Sequence, residues 1–407
     1  MVARLARLFG DFYIAEEAVQ EALLEAVLAW RHTPPDNPAA WLTTAARRNA
    51  LDLVRSRSRG ERRAEAWGQA NPQGPGAAAG GPAIIDDPEA AGGSGLGTDD
   101  DRVGLLFACC HPALPPEARV ALTLRAVVGL TTPQIARGLL IPESTLAQRI
   151  VRAKRKIVAT GIRLQVPDAR DLPSRLDDVL RVIYLAYTEA YVGSSGPGQD
   201  RDLGSDTAWL AGQVALALPE QPEAWGLAAL LVAQHSRSAA RIDPAGNLVP
   251  LRAQDRSRWD RAALAEAQGM LARAAALRHT GPYQLQAAIA TLHAEAPSWE
   301  ATDWAQITTL YAALRQVADS PIVRLNEAIA LSHVMPGRTQ QVLADVDALG
   351  DRLAGYHLWH ATRAELLRRL GRASEAAEAD RRALSLTDND AERRLLRSRL
   401  HRQTLDG

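Results

Sequence analysis

The chain has 407 residues, which at roughly 100–200 residues per domain allows about two to four domains. Its 47 Lys and Arg residues are balanced by 47 Asp and Glu residues, so the formal net charge is zero. This balance excludes a uniformly basic nucleic-acid coat protein and an acidic tail protein, although it allows a local basic patch. No uncharged apolar run reaches the roughly 18 residues that a membrane-spanning helix needs, and no secretory stretch follows the first residues. We therefore expect a cytoplasmic protein.

Apolar residues recur at steps of three and four positions along most of the chain, which is the spacing of amphipathic helices. A first long helix is predicted over residues 11–30, with acidic residues on much of its other face. Its apolar stripe consists of Ile14, Ala15, Ala18, Val19, Ala22, Leu23, Val27 and Trp30. Prolines between residues 34 and 38 end this helix, and a second one is predicted from Ala39 to Arg59. Since no segment alternates at period two for long enough to form a strand, the expected fold class is all-α.

Residues 64–101 differ in composition from the helical segments on either side. They are rich in Gly and Pro, and their acidic residues have no basic counterpart. Such a composition is typical of a flexible linker. The run Gly93–Gly97 matches half of a dinucleotide-binding fingerprint, but no predicted strand precedes it and no helix opens on it, so we interpret it as part of the linker.

Two basic segments lie on opposite sides of this linker. The first, Ala46–Arg63, has seven arginines against Asp52 and Glu61. This density of arginines at a helix end is typical of phosphate binding, because neutralised phosphates release their condensed counterions. A solvated charged surface without a ligand is the alternative interpretation.

The second basic segment, Pro115–Arg163, has the pattern of a helix-turn-helix motif. A helix is predicted over Pro116–Leu130 and a short helix over Gln134–Leu140. After a turn at Ile141–Glu143, a final helix ends in the basic residues 154–156. In such motifs the last helix enters the major groove, where Gln and Arg side chains bind base edges and terminal cations bind phosphates. An ordinary helical hairpin is the alternative interpretation.

Taken together, these motifs make residues 1–163 resemble a bacterial RNA polymerase sigma factor of the extracytoplasmic-function type, in the sigma-70 family. Residues 11–24 (DFYIAEEAVQEALL) are similar to region 2.2, whose helix docks on the polymerase clamp. Residues 37–55 (NPAAWLTTAARRNALDLVR) are similar to regions 2.3 and 2.4, and residues 130–156 are similar to region 4.2, the −35 reader. The sequence starts late in the first helix of such factors, which we interpret as a shortened region 2 or a misassigned start codon.

The resemblance implies three sets of functional residues. The expected polymerase-binding residues are Glu17, Gln20, Glu21 and Leu24. The residues expected to engage the −10 element are Arg47, Arg48, Asn49, Asp52 and Arg55. The residues expected to bind the −35 element are Thr145, Gln148, Arg149, Arg152, Lys154, Arg155 and Lys156. The implied partners are core RNA polymerase and promoter DNA, and neither a catalytic residue nor a metal or cofactor is expected.

Residues 164–407 resemble the helical extension of a subgroup of these factors, which ends in tetratricopeptide-like repeats. In this part, Ala361–Leu386 is predicted to form a helix pair with a turn at residues 370–372. We expect the extension to be a regulatory module that contacts the sigma domains, polymerase or a protein ligand in place of a separate anti-sigma factor, since stacked helix pairs form grooves suited to peptides. A scaffold that only adds stability is the alternative.

The expected organisation is therefore sigma region 2 (1–63), a flexible linker (64–101), sigma region 4 (102–163) and the regulatory extension (164–407). Adjacent Cys109 and Cys110 are expected to be buried structural thiols, since neighbouring cysteines suit neither a common disulfide nor a zinc site. A helix-turn-helix regulator that works without polymerase is a second candidate, but it leaves residues 11–63 without a purpose. An enzyme is disfavoured, because the common metalloprotease, nucleophile-elbow and phosphate-loop motifs are missing.

Overall fold

In a computed structural model of the protein, the structure describes residues 1–30, 34–70, 101–138, 141–162, 167–168, 170–193 and 203–405. The described residues form α-helices, short turns of 3₁₀- or π-helix and one isolated antiparallel bridge between Ile242 and Leu248, which confirms the all-α prediction. The α-helices are α1 (Val2–Phe9), α2 (Phe12–Ala29), α3 (Pro38–Ala70), α4 (Asp101–Cys109), α5 (Pro116–Thr123), α6 (Thr132–Gly138), α7 (Glu143–Thr160), α8 (Leu172–Gly193), α9 (Leu203–Ala217), α10 (Pro222–His235), α11 (Ser238–Arg241), α12 (Arg261–Ala276), α13 (Pro282–Glu295), α14 (Trp304–Val317), α15 (Pro321–Val334), α16 (Thr339–Asp347), α17 (Gly350–Leu353), α18 (His357–Arg369), α19 (Ala373–Leu386) and α20 (Asp390–Leu405).

The chain divides into two units, Met1–Val182 and Ile183–Gly407, each with its own buried apolar residues. The division falls within α8, whose first half belongs to the first unit. None of the helices in the described part of the chain combines the length and hydropathy that a bilayer crossing requires.

Helices α1, α2 and α3 pack on one another at the start of the first unit. The Asp11 carboxylate caps α2 by accepting hydrogen bonds from the backbone N–H groups of Tyr13 and Ile14, at 2.7 and 3.2 Å. These bonds satisfy donors that have no partner within the helix, so α2 begins where the sequence predicts it. Ile14 and Ala18 then pack against Ala50 of α3, which fixes the two helices side by side.

The second half of the first unit contains the predicted helix-turn-helix. Helices α6 and α7 pack against each other and bury Ile135 and Leu146. The preceding helix differs from the prediction, because α5 ends at Thr123 and a π-helical turn follows over Leu124–Val128. Gly129 ends this turn with φ 83°, a left-handed conformation that a continuing helix cannot adopt.

The predicted linker is shorter at both ends than its composition indicates. Helix α3 continues to Ala70, so residues 64–70 are helical, and Asp101 is the first residue of α4. Residues 64–70 consist largely of Ala, Glu and Gln, which have high helix propensity and allow α3 to continue. The rest of the predicted linker, residues 71–100, lies outside the described residues.

In the second unit, helices that are close along the chain pack on one another, which is the pattern of helical-repeat proteins. The predicted helix pair at Ala361–Leu386 is observed as α18 and α19. Gly371 lies in the turn between them with φ 74°, a conformation that favours glycine. The Trp359 side chain of α18 donates a hydrogen bond to the Val346 carbonyl at 2.8 Å, which connects this pair to α16.

A buried ion pair connects α18 to α19. Asp380 is fully buried and accepts a hydrogen bond from the Arg368 guanidinium at 2.6 Å. Burial raises the pKa of Asp380, although the charge of Arg368 opposes this shift. Because a buried carboxylate without a partner is costly, the pair holds the two helices in one relative position.

A carboxylate from α10 caps the beginning of α13. Glu223 accepts hydrogen bonds from the backbone N–H groups of Tyr283 and Gln284, at 2.8 and 3.1 Å. At Gly281, just before the helix, a Cβ atom would collide with the Glu223 side chain, so a larger residue there would displace this cap. This contact fixes α13 against α10 near the middle of the extension.

Candidate functional site

The predicted polymerase-binding residues lie on one exposed face of α2. Glu17, Gln20, Glu21 and Leu24 are all exposed, and Leu24 retains 65% of its accessible surface. At 3.6 residues per turn, these positions form one stripe along the helix. The structure therefore brings the four predicted residues together on a single surface.

An apolar patch continues this face towards the end of α2. We define the α2 apolar patch as Leu23, Leu24, Val27 and Leu28, all of them exposed. Leu23 and Val27 belong to the predicted apolar stripe, yet they retain 47% and 68% of their surface. The apolar stripe of α2 is wider than the surface that the neighbouring helices cover. Exposed large apolar residues that lie together in this way are typical of a protein interface.

Four of the five predicted −10 residues are exposed on α3. They are Arg47, Arg48, Asp52 and Arg55. Asp52 lies 3.6 Å from Arg55, close enough to influence its direction. The side chains of residues 57–70 lie outside the described residues, including the later arginines of this basic segment.

Asn49, the fifth predicted −10 residue, has a different environment. It is only 7% exposed, and its amide donates a hydrogen bond to the Glu25 carboxylate of α2 at 3.0 Å. Arg48 donates to the other oxygen of the same carboxylate at 2.5 Å. The bonds from Asn49 and Arg48 lower the pKa of Glu25. Asn49 is thus placed to fix α3 on α2, and direct DNA contact through its buried amide is disfavoured.

The predicted −35 residues lie along α7. Gln148, Arg152, Arg155 and Lys156 are exposed, whereas Thr145 and Arg149 are half-buried. Gln148 accepts a long hydrogen bond of 3.5 Å from Arg152, so two polar side chains meet on one surface of the helix. With the exception of Lys154, these residues give α7 an accessible basic surface.

Lys154 does not lie where a phosphate contact was predicted for it. It is only 7% exposed and pairs with the Glu16 carboxylate of α2, and its ammonium lies 5.7 Å from the centre of the Tyr13 ring. Lys154 follows Ile150 by four residues and precedes Ile157 by three, so it lies on the buried face of α7. In this arrangement its charge is paired with α2 and does not lie on the exposed surface of α7.

Sequence reasoning missed that α2 supplies a carboxylate to each basic helix. Glu25 binds α3, whereas Glu16 binds α7. Nine residues separate the two, which is two and a half turns, so they project from opposite sides of α2. Glu17 and Glu21 remain on the exposed face between them, so acidic residues that look equivalent in the sequence have different roles.

Both predicted structural thiols are buried, as expected. Burial raises the pKa of Cys110 to about 12, and the Thr123 hydroxyl lies 3.7 Å from its sulfur. Burial raises the pKa of Cys109 even further. Both thiols are therefore protonated and unreactive at neutral pH. Among the described residues, no group of three or more His, Cys, Asp and Glu side chains is placed to hold a metal ion.

Comparisons with known proteins identify both halves of the first unit. A family model of sigma-70 region 2 matches residues 1–60, and one of sigma-70 region 4 matches residues 105–157. An uncharacterized protein of Rhizobium meliloti (strain 1021) is 42% identical over 401 residues, which cover 97% of this chain and 91% of that protein. The chain belongs to the sigma-70 family. Residues 175–275 of this sigma factor match a family of unknown function, DUF6596, and no solved structure matches the chain.

The protein is thus similar to extracytoplasmic-function sigma factors that carry a long helical extension. The two sigma-70 regions identify core RNA polymerase and promoter DNA as its partners. They also indicate a transcription factor.

Proposed function

We propose that this sigma factor docks on core RNA polymerase through α2, directs it to promoters through α3 and α7, and is modulated by its C-terminal extension. One observation carries the proposal. The exposed acidic and apolar face of α2 lies between two helices that display basic side chains, α3 and α7. The cytoplasm, where polymerase and DNA are found, is the proposed location.

The face of α2 suits a partner surface that is basic around an apolar centre. Glu17 and Glu21 supply negative charge, which steers a basic partner and speeds association. The α2 apolar patch supplies surface that leaves water when the partner binds, which contributes most of the affinity. Gln20 and Leu24 lie between these two parts of the interface.

Helix α3 is the proposed reader of the −10 element. Arg47, Arg48 and Arg55 are exposed cations that can bind the DNA backbone and stack on unpaired bases, while Asp52 orients Arg55. A base extruded from the duplex loses stacking worth a few kcal/mol, so contacts of this kind must replace it. Asn49 supports the reader by fixing α3 on Glu25.

Helix α7 is the proposed reader of the −35 duplex. Gln148, Arg149 and Arg152 would meet base edges once α7 enters the major groove as a recognition helix, with Thr145 near its beginning. Arg155 and Lys156 follow on the exposed surface and are suited to phosphates. Lys154 has no part in this proposal in its observed position.

The two readers must separate before both can bind one promoter. Helix rise and side-chain lengths limit the Cα atoms of Arg48 and Arg149 to a separation of roughly 50 Å at most while Glu16 holds Lys154 and Glu25 holds Arg48. The −35 and −10 elements are centred roughly 85 Å apart along B-form DNA. We infer that the Glu16–Lys154 contact belongs to the free factor and breaks when polymerase and promoter are bound.

The first experiment reconstitutes transcription from the full-length protein and core polymerase, with sequencing of the transcripts to identify the promoter. Arg149→Ala should then reduce −35-dependent initiation about fivefold or more, since a bidentate base contact contributes about 1–3 kcal/mol. Arg181→Ala on α8 replaces another exposed arginine of the first unit and serves as the control. Full activity of Arg149→Ala would refute the assignment of α7.

A second pair of variants separates the sigma factor from a regulator that acts without polymerase. Leu24→Asp and Leu28→Asp place charges in the α2 apolar patch, where exposure makes misfolding unexpected. Loss of co-purification with core polymerase, with −35 duplex binding retained, is the expected result. If initiation continued unchanged, docking through α2 would be excluded.

The role of the extension is tested by a truncation that respects the first unit. Val179 in the first half of α8 is fully buried, and Asp178 pairs with Arg119 of α5, so α8 must be retained. A chain that ends at Gly193 should therefore keep both readers intact. Altered initiation, in either direction, supports modulation by the extension. If the truncated chain initiated transcription at the level of the full-length protein, the extension would act only as a scaffold.

A further inference from the structure

A groove of about 820 Å³ opens on the second unit between α15, α18 and α20 and the loop that contains Arg252. This volume lies in the range of roughly 300–1,000 Å³ that is typical of ligand sites. Helical-repeat proteins commonly bind partners on concave surfaces between stacked helices. The groove is therefore a candidate binding site that belongs entirely to the extension.

The charges along the groove are strongly unequal. Four arginines line it, Arg252, Arg369, Arg399 and Arg402, against Glu365. Glu365 is already occupied, because Arg368 and Arg369 donate hydrogen bonds to its two oxygens at 3.1 and 3.4 Å. The remaining positive charge points to an anionic ligand.

Arg399 supports this interpretation, because its charge is poorly solvated. Burial lowers the pKa of this guanidinium, and the nearby charge of Arg368 lowers it further. Asp380 and Glu365 act in the opposite direction without reversing the shift. A carboxylate brought into the groove would therefore meet a cation whose hydration is already reduced, which strengthens their attraction.

Aromatic and apolar side chains also line the groove. Trp299 and His333 line one wall, and their rings are 5.2 Å apart in an edge-to-face contact. Burial lowers the pKa of His333 to about 4, so this wall is neutral near pH 7. Buried Leu325 and Leu366 contribute to the floor. A ligand that fits must offer apolar groups as well as negative charge.

We propose that this arginine-lined groove binds an acidic peptide segment of a partner protein, one that alternates carboxylates with apolar side chains. Carboxylates would pair with Arg399, Arg402 and Arg252, and the apolar side chains would cover the leucines of the floor. An extended peptide rises about 3.3 Å per residue, so roughly ten residues would follow a groove that crosses three helices. The apolar floor favours a peptide over a nucleotide, whose phosphates need several cations around one point.

The test is a selection of phage-displayed random peptides of about twelve residues on the full-length protein. Enriched peptides should be rich in Asp and Glu with apolar residues between them. The charge-reversed variant Arg252→Glu/Arg402→Glu should bind the most enriched peptide at least tenfold more weakly. Both positions are exposed, so the variant is expected to fold.

The matched control is Arg381→Glu/Arg382→Glu, which reverses two exposed arginines of α19 outside the groove. It should bind the same peptide as the unaltered protein does. The proposal is overturned if no peptide is enriched, if enriched peptides carry no excess of acidic residues, or if both variants bind equally. Tight ATP binding in a calorimetric titration, without acidic enrichment, would instead assign the groove to nucleotides.

This inference rests on the proposed regulatory role of the extension only for what peptide binding does in the cell. The binding itself does not depend on that role. Peptide binding is measured without polymerase, whereas the regulatory role is tested by transcription with the chain that ends at Gly193. A groove that binds peptide in a factor whose truncation leaves initiation unchanged would keep this inference and refute modulation. If the groove bound no acidic peptide but the truncation altered initiation, this inference would be refuted and modulation by the extension would be kept.

Discussion

The two basic helices of the first unit use their charges in different ways. On α3, the described arginines Arg47, Arg48 and Arg55 are all exposed. On α7, the central Lys154 is buried against the Glu16 carboxylate of α2. A count of basic residues treats the two helices alike, but only the position of each charge relative to the apolar face decides whether it meets DNA or another helix.

The largest expected effect comes from breaking the buried contact of α7. Lys154→Met leaves the half-buried Glu16 without its cation, and losing one member of such a pair should cost about 2 kcal/mol. Amides of α7 should then exchange roughly 30-fold faster in hydrogen–deuterium exchange by mass spectrometry.

Lys156→Met is the matched control for this contact, because it removes the same charge from the exposed side of α7. It should leave exchange nearly unchanged. The double variant Lys154→Met/Glu16→Gln should recover part of the lost protection, since no unpaired charge remains. Unchanged protection in Lys154→Met would mean that the pair does not hold α7 on α2.

A smaller effect is expected at the corresponding contact of α3. Asn49→Ala removes the buried amide that binds Glu25, which should cost about 1 kcal/mol. The change should appear as faster amide exchange at the α2–α3 contact. Ser56→Ala, at an exposed position of the same helix, is the control. A −10 defect with unaltered exchange would restore the direct DNA contact that the sequence predicted for Asn49.

The salt dependence of DNA binding distinguishes the two lysines of α7 more directly. If Lys156 binds a phosphate, Lys156→Ala should reduce the slope of log K against log salt concentration by about 1 on a −35 duplex. Without polymerase the two readers need not separate, so Lys154→Met should leave the slope on this isolated −35 duplex unchanged, because its charge stays on Glu16. A reduced slope in both variants would show that the −35 duplex alone releases Lys154 to DNA.

Part of this difference between the lysines could be predicted from the sequence. The helices follow from the spacing of apolar residues, and Lys154 occupies a position in register with Ile150 and Ile157, which indicates the buried face. Its partner could not be predicted, because Glu16 is 138 residues away and only the packing of α2 on α7 brings them together. Leu23 shows the converse limit, since periodicity gives the apolar stripe but not how much of it the neighbours cover.

The smallest expected effect concerns pH and the carboxylate that serves α3. Hydrogen bonds from Asn49 and Arg48 lower the pKa of Glu25, so the folded protein favours the charged form more than the unfolded chain does. The stabilisation is fully present above the unfolded pKa of about 4.3 and is lost as the pH falls through the lower folded value. At neutral pH, Glu25→Gln should destabilise the α2–α3 contact by less than about 1 kcal/mol, because the group is near the surface.

This difference between wild type and Glu25→Gln should shrink as the pH is lowered from about 6 to about 3, as followed by denaturant unfolding of the full-length chain. Glu21→Gln removes a carboxylate from the exposed face of α2 and controls for general charge effects. A difference that grew towards low pH would reverse the sign and show that Glu25 is not held in its charged form. In that case α3 would be held on α2 mainly by apolar contacts, such as those of Ala50 with Ile14 and Ala18.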